Sequence, residues 1–430
     1  MSLDKRVLYK ESKKWINKVV KLEKYNIAAK QIKVNIQVPE ILFLMAFGIY
    51  MFANVLDLTA VAFSNGNDSM SMVNLFTKLA RYGAYALFTV KIFQSASYNR
   101  RWIDYIIAAA SVVVVSFGGS SNKTVIFYFL VCIAAYGVQE ENLLKCSCIV
   151  QSLVLAICVC GSQLGFVTDY VRVDNNRVRH FLGFSWTTTG AILFLFILLQ
   201  YIYLRKGKLT VWEDIVGLVI SAFFYKMTDS RFAFLISVLT ILFFAVYRLG
   251  EHQGRAICNL KWQCFLVPFL IAVFAILLHA CYNPHNALYF KLNKLLSGRL
   301  LLGENAITEY GVSLIGRDIT WIGFNISGKL QGTYNYVDCS YVKVLLDHGA
   351  LFLGIVLIAY GYILYQSIQK QEYYLTWIIL IVLVFGITEP RLFDITFNPF
   401  LVLTMSGNVQ KETKQFKRWC INCRKQNKNQ

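Results

Sequence analysis

The chain of 430 residues is 57% hydrophobic and only 16% charged, with a mean hydropathy of +0.50. Soluble domains carry about a quarter charged residues, and membrane barrels show alternating segments of roughly ten residues, so both classes are excluded. The net charge of +19 gathers at the two ends: the first 38 residues carry ten Lys/Arg, and the tail after Gly407 carries seven. Basic flanks beside membrane spans indicate the cytoplasmic side, so nucleic acid is excluded as the partner.

Apolar runs near the bilayer-spanning length of about 20 residues recur from Pro39 onward. They predict an all-α fold, a polytopic helical membrane protein of about 12 transmembrane helices. We predict the spans at about residues 40–60, 73–95, 102–118, 123–138, 143–162, 183–204, 211–226, 231–248, 261–281, 341–366, 373–388 and 391–406.

Three parts of the chain follow from this pattern. Residues 1–38 form a basic cytoplasmic segment, 39–406 the transmembrane domain, and 407–430 a basic cytoplasmic tail. The first segment is either an amphipathic helix on the inner membrane face or a solvated tail. An even number of spans puts both termini inside, which places one large polar loop, 282–340, and a shorter polar stretch, 163–180, outside.

The shorter polar stretch concentrates side chains that bind anions. Three arginines and a histidine lie within nine residues: Arg172, Arg177, Arg179 and His180. A guanidinium is a planar, permanently charged fork that grips phosphate oxygens in pairs. The alternative is that these arginines reach lipid headgroups or pair with Asp169 and Asp174.

The large loop carries a second basic pair, Arg299 and Arg317, on the same predicted side. These arginines run against the orientation bias, so an anionic ligand is the simplest reason for them. Asp338 stands where the loop re-enters the membrane. It can be an N-cap of the following span, a chemical group, or both.

Two absences limit the chemistry. The sequence contains no Gly-Lys-Ser/Thr loop that would cradle ATP phosphates. The first outward link, 61–72, holds Asp68 as its only acidic residue, so it lacks the paired carboxylates of a metal-dependent glycosyltransferase. We therefore expect no metal and no cofactor.

Six stretches, which cover roughly the C-terminal 60% of the chain, carry a resemblance when taken in order: Arg179-His-Phe-Leu-Gly-Phe-Ser, Thr228-Asp-Ser-Arg-Phe-Ala-Phe, Leu295-Leu-Ser-Gly-Arg-Leu, Val312-Ser-Leu-Ile-Gly, Asp338-Cys-Ser-Tyr-Val-Lys-Val-Leu-Leu-Asp-His-Gly and Thr388-Glu-Pro. Together they resemble the Wzy-type polymerases of bacterial polysaccharide assembly. An Arg-x10-Gly spacing seen in some members of that family fits Arg172, Arg179 and Arg317, so it does not single out one arginine.

The resemblance implies a multi-pass enzyme of the bacterial plasma membrane that is similar to the C-type glycosyltransferases. Such enzymes transfer a glycan from undecaprenyl diphosphate to a fresh lipid-linked repeat unit, without a nucleotide. Membrane lipid, a flippase and chain-length regulator proteins are the other implied partners. For a diphosphate at the outer face, we expect binding by Arg172, Arg177, Arg179, Arg299 and Arg317. His180 and Asp338 are the candidate catalytic groups for the acceptor hydroxyl.

Two other functions compete with the polymerase. A glycan ligase of the same superfamily would move finished glycan onto a lipid or protein acceptor. A lipid-linked oligosaccharide flippase or exporter should line a central cavity with charge and keep uniformly short links, whereas this chain collects charge in one large loop.

Overall fold

A computed structural model describes residues 39–63, 72–96, 109, 125–174, 177–250, 263–323 and 332–407. The predicted span at 102–118, the segment 1–38 and nearly all of the tail 407–430 lie outside the described residues. The helices are α1 (Pro39–Asp57), α2 (Met72–Ala96), α3 (Val125–Ala134), α4 (Glu140–Gln163), α5 (Thr189–Leu204), α6 (Val211–Thr228), α7 (Arg231–Leu249), α8 (Gln263–Ala280), α9 (Ala287–Leu295), α10 (Arg299–Tyr310), α11 (Ser340–Gln369) and α12 (Tyr373–Phe385). Two 3-10 helices, Ala60–Phe63 and Pro399–Thr404, and a two-stranded hairpin of β1 (Val171–Asp174) and β2 (Arg177–His180) complete the described elements.

The protein is a mostly helical membrane protein, as the hydrophobic runs predict. Five described helices are long and apolar enough to cross a bilayer: α1, α4, α7, α8 and α11. Helices α3, α5 and α12 are apolar but shorter, at 10 to 17 residues. Helix α6 is also 18 residues long, but Glu213, Asp214 and Lys226 place three charged residues within that length.

Local sequence signals explain several boundaries. Helix α6 starts at a complete capping box, in which Thr210 accepts from the Glu213 N–H and the Glu213 carboxylate accepts from the Thr210 N–H. Helices α8 and α11 pack closely because Gly361 has no side chain: a Cβ there would lie 2.7 Å from the Phe265 carbonyl oxygen. Pro268 is tolerated inside α8 because neighbouring membrane helices bury the disturbed turn.

The helices alternate in direction, so two ends of the bundle can be distinguished. At one end, Lys370 pairs with Glu140 and the Gly407 N–H donates to the Val138 carbonyl at 2.9 Å. At the other end, the Ser340 N–H donates to the Gly386 carbonyl at 2.9 Å. The first end is the predicted cytoplasmic end and the second is the predicted outer end.

The prediction of a transmembrane helix at 391–406 is wrong. Residues 391–406 are not an α-helix but a series of turns followed by the 3-10 helix Pro399–Thr404. Asn398 takes over part of the backbone hydrogen bonding, since its side-chain amide donates to the Leu392 carbonyl and to the Tyr360 hydroxyl, each at 2.7 Å. Hydrogen bonds from buried polar side chains therefore stabilise an irregular backbone here, although apolar composition alone predicted a helix.

The segment between α8 and α11 is folded. Its first half contains α9 and α10, and the described residues of its second half, 311–323 and 332–339, contain no helix or strand and lead to the start of α11 at Ser340. Asn293 connects the two short helices, because its side-chain oxygen accepts from the N–H groups of Leu300 and Leu301 at 3.1 and 3.3 Å. These bonds and the left-handed Gly298, with φ of 84°, start α10 at Arg299.

Helix α11 is broken at Gly349, whose φ is 85° and ψ 171°. The loop fills the break, since the N–H groups of Ala350 and Leu351 donate to the carbonyls of Ser313 and Leu314 at 3.0 and 3.1 Å. Any Cβ at Gly349 would lie 2.4 Å from the Leu314 oxygen. The large loop is therefore attached to the membrane domain through backbone bonds inside a helix.

Candidate functional site

The two polar stretches predicted from the sequence meet around Tyr334. Burial and Asp338 raise the pKa of this tyrosine, Arg299 and Arg172 lower it, and the net result is a pKa of about 12. Arg172 belongs to the hairpin and the other three residues to the large loop. Segments far apart in the chain thus bring two arginines and a carboxylate to one place at the predicted outer end.

Arg299 is the central cation of this cluster. Its Nε lies 3.0 Å from the Asp338 carboxylate, and both side chains are about one fifth exposed, at 20% and 22%. Its Nη1 donates to the Thr388 carbonyl, and its guanidinium lies 5.2 Å from the centre of the Phe232 ring. The fork is therefore held in one orientation by contacts from three different segments.

Asp338 is not the N-cap of the following helix. Cys339 occupies that position in α11, and no side chain caps the helix there. The Asp338 carboxylate instead orients Arg299. The predicted N-cap role is therefore wrong, and the predicted chemical role stays a prediction.

The predicted arginines of the hairpin share one face but have different contacts. Arg172 pairs across the hairpin with Arg179, and side chains alternate along a strand, so Arg177 also lies on this face. Arg177 pairs with Asp229, and the Arg179 Nε donates to the Thr228 carbonyl at 3.0 Å. The Arg172 guanidinium lies 5.8 Å from the centre of the Trp186 ring. Arg177 and Arg179 thus hold the hairpin to the α6–α7 turn, whereas Arg172 lies near enough to Tyr334 to lower its pKa.

His180 lies on the opposite face of the hairpin from these arginines, since it pairs with Val171. Its Nδ1 is 2.7 Å from the Asp169 carboxylate, which also accepts from the Leu182 N–H at 2.7 Å. A carboxylate partner fixes the orientation of the imidazole. The structure therefore places this candidate base away from the cluster around Tyr334.

Arg317, the remaining predicted arginine, is anchored through its backbone. Its N–H donates to the Leu346 carbonyl at 3.0 Å, next to the break in α11, while its side chain is exposed. The position is fixed by the neighbouring Gly316, because a Cβ there would lie 2.2 Å from the Asp347 carbonyl oxygen. The structure therefore fixes the backbone of Arg317 beside α11 and leaves its side chain exposed at the surface.

An aromatic group supports the returning half of the loop. The Lys343 ammonium lies 4.1 Å from the ring centre of Trp321 and 4.7 Å from that of Tyr336. Trp321 Nε1 donates to Asp347 at 2.7 Å, and Asp347 lies 3.5 Å from Lys343. These contacts tie Trp321 and Tyr336 to the first turns of α11 beside the cluster.

Glu389 and Arg391 join the cluster, although the sequence did not single them out as site residues. The Arg391 Nη1 lies 3.4 Å from the Glu389 Oε1, and burial raises the pKa of Glu389 to about 7, with Arg391 and Arg299 lowering it and Asp338 raising it. The sequence feature that could have identified these two residues is the Glu-Pro-Arg sequence between two strongly apolar runs. In a membrane protein, a buried charged residue belongs to a functional site more often than to a purely structural contact.

The comparisons with known proteins identify no relative: no family model, no curated protein and no solved structure matches the chain. The site is therefore described by its residues alone. Within the described ranges, no group of three or more His, Cys, Asp or Glu side chains could hold a metal ion. Fixed charge in the cluster comes from three arginines, Arg172, Arg299 and Arg391, against two carboxyl groups.

Proposed function

We propose that the chain polymerises oligosaccharide repeat units linked to polyprenyl diphosphate at the outer face of the bacterial plasma membrane. The observation that carries this proposal is the Arg299 guanidinium at the predicted outer end, held by Asp338 at 3.0 Å and by the Thr388 carbonyl, with Arg172 near enough to lower the pKa of the neighbouring Tyr334. A cluster with more arginines than carboxylates, at one end of a membrane domain, suits a lipid-linked diphosphate.

The reaction moves the growing glycan from its carrier to a new lipid-linked unit. An acceptor hydroxyl attacks the anomeric carbon of the donor, and the bond between this carbon and the diphosphate oxygen breaks. Negative charge develops on the leaving diphosphate, where Arg172 and Arg299 stabilise it. Because Asp338 and the Thr388 carbonyl hold Arg299 in place, little reorganisation is needed in the transition state.

A deletion strain tests the proposal and separates the polymerase from the ligase. Without the protein, a polymerase host should retain surface glycan of single repeat units, still attached to its usual acceptor. A ligase host should instead accumulate long glycan on the lipid carrier. Full-length, normally attached glycan in the deletion strain would exclude both enzymes, and loss of all outward glycan would favour the flippase.

The predicted orientation of the protein in the membrane can be tested at Thr333, which is exposed in the loop 282–340. A cysteine introduced there should react with a membrane-impermeant thiol reagent in intact cells, because the basic flanks put this end outside. The control is Lys208→Cys, exposed at the predicted cytoplasmic end, which should react only after lysis. The parent chain sets the background through the exposed Cys160 and Cys281. The reverse labelling pattern would contradict the orientation.

Metal removal gives a second prediction. The cluster offers guanidinium groups, which need no divalent ion to bind a diphosphate. We therefore expect the purified protein to polymerise at an unchanged rate when EDTA is added. A loss of polymerisation that is restored by manganese or magnesium would contradict this mechanism.

A further inference from the structure

Glu389 is a buried carboxyl group whose hydrogen-bonding capacity is not used up. Its side chain is 6% exposed, and its Oε1 has no hydrogen-bond partner within the described part of the chain. The facing Arg391 Nη1 is also buried there without a hydrogen-bond partner, since their 3.4 Å contact lacks hydrogen-bond geometry. A buried charge pair left in this state requires an explanation other than packing.

The backbone around Glu389 is clamped from two sides. The Ser340 hydroxyl donates to the Glu389 carbonyl and accepts from the Leu392 N–H at 3.1 Å. One residue earlier, the Thr388 carbonyl accepts from Arg299. The turn that carries Glu389 is therefore fixed between the start of α10 and the start of α11, beside the proposed diphosphate site.

The other two carboxylate or imidazole candidates are engaged elsewhere. Asp338 is paired with Arg299 at 3.0 Å, and His180 is hydrogen-bonded to Asp169 on the far face of the hairpin. Glu389 has an oxygen left to accept a proton. Burial brings the pKa of Glu389 to about 7, where a general base is most effective at neutral pH.

We propose that Glu389 is the general base that takes the proton from the acceptor hydroxyl, an inference that rests on the proposed function. As the hydroxyl oxygen bonds to the anomeric carbon of the donor, its proton passes to the Glu389 carboxylate. The bond from that carbon to the diphosphate breaks, and the leaving diphosphate keeps the electron pair. The proton then leaves to water, and no oxidant, metal or nucleotide takes part.

The pH dependence follows from the groups that face Glu389. Arg391 and Arg299 favour its ionised form, Asp338 and burial favour the protonated form, and the neighbouring Tyr336 stays neutral because burial raises its pKa. A base acts only when ionised. The polymerisation rate should therefore rise as the pH increases through about 7.

The test uses the full-length protein in lipid vesicles, with undecaprenyl-diphosphate-linked repeat units isolated from the deletion strain as substrate. Glu389→Gln keeps the shape but removes the base. It should lower the rate on the order of 10²- to 10⁴-fold, retain binding of the lipid-linked substrate, and make the residual rate independent of pH near 7. Glu389→Asp keeps a carboxylate on a shorter side chain, so we expect a reduced rate that still rises with pH.

Glu372→Gln is the matched control. This partly buried glutamate stands at the opposite end of α12, where burial also raises its pKa and its Oε2 lacks a hydrogen-bond partner among the described residues. It should keep the parent rate. A near-normal polymerisation rate for Glu389→Gln would overturn the proposal. If the glutamine variant does not accumulate in the membrane, Glu389→Asp provides the test, and a polymerisation rate of that variant that does not change with pH would overturn the proposal. A parent protein that makes no polymer would instead refute the proposed function.

Discussion

Replacing Arg299 with alanine is expected to lower the polymerisation rate by about 30- to 1000-fold. This arginine combines the Asp338 contact, the Thr388 carbonyl and the Phe232 ring around one guanidinium, so its fork points in a defined direction. Loss of a paired phosphate contact in a partly desolvated site removes about 2–4 kcal/mol of transition-state stabilisation. Arg299→Lys should be milder, because lysine keeps the charge but not the fork.

Measurement of both membrane level and polymer length separates a site role from a structural one. Arg231→Ala is the matched control, since this arginine is also at the predicted outer end but is 60% exposed and lies 3.4 Å from Asp229. It should leave glycan length unchanged. Normal level with single repeat units for Arg299→Ala supports the site. Full-length polymer from both Arg299→Ala and Arg317→Ala would exclude the loop 282–340 from the mechanism.

Replacing Asp338 with asparagine is expected to lower the rate on the order of 10²-fold, because it releases the charge that orients Arg299. The guanidinium would remain beside the Thr388 carbonyl but would no longer be fixed from both sides. The measurement is the initial rate in vesicles, normalised to protein level and compared with the binding of lipid-linked substrate.

A double variant distinguishes orientation of Arg299 from an independent chemical role of Asp338. If the carboxylate acts only through Arg299, then Arg299→Ala combined with Asp338→Asn should be about as slow as Arg299→Ala alone. Rate losses that multiply would contradict this positioning role, and they would return Asp338 to the list of groups that contact the substrate.

The sequence predicted the helices where length and apolar composition suffice. Helix α8 follows from one apolar run, and α11 from a longer apolar segment that Lys343, Asp347 and His348 interrupt near its start. The break at Gly349 could not be predicted, because it depends on loop residues Ser313 and Leu314 that supply carbonyl partners from outside the helix. The final segment was predicted wrongly for the same reason: the hydrogen bond from Asn398 to the Tyr360 hydroxyl joins it to another helix, and the sequence of the segment does not show this contact.

The site was predicted in part. Residue type and predicted side of the membrane selected Arg172, Arg299 and Asp338, which do meet. The same reasoning could not separate Arg172 from Arg177 and Arg179, because only the strand register and the position of Asp229 decide which arginines hold the hairpin. Glu389 was missed because its burial and its distance to Arg391 are properties of the folded chain.

Purified protein in lipid vesicles, supplied with undecaprenyl-diphosphate-linked repeat units and neither nucleotide nor divalent ion, tests the central claim most directly. The quantity to measure is the length of the lipid-linked glycan, together with release of undecaprenyl diphosphate. We predict a ladder of polymers and one diphosphate released for each repeat unit added, both lost in Arg299→Ala. Unchanged single repeat units, under conditions where the protein is folded and binds the lipid-linked substrate, would contradict the account.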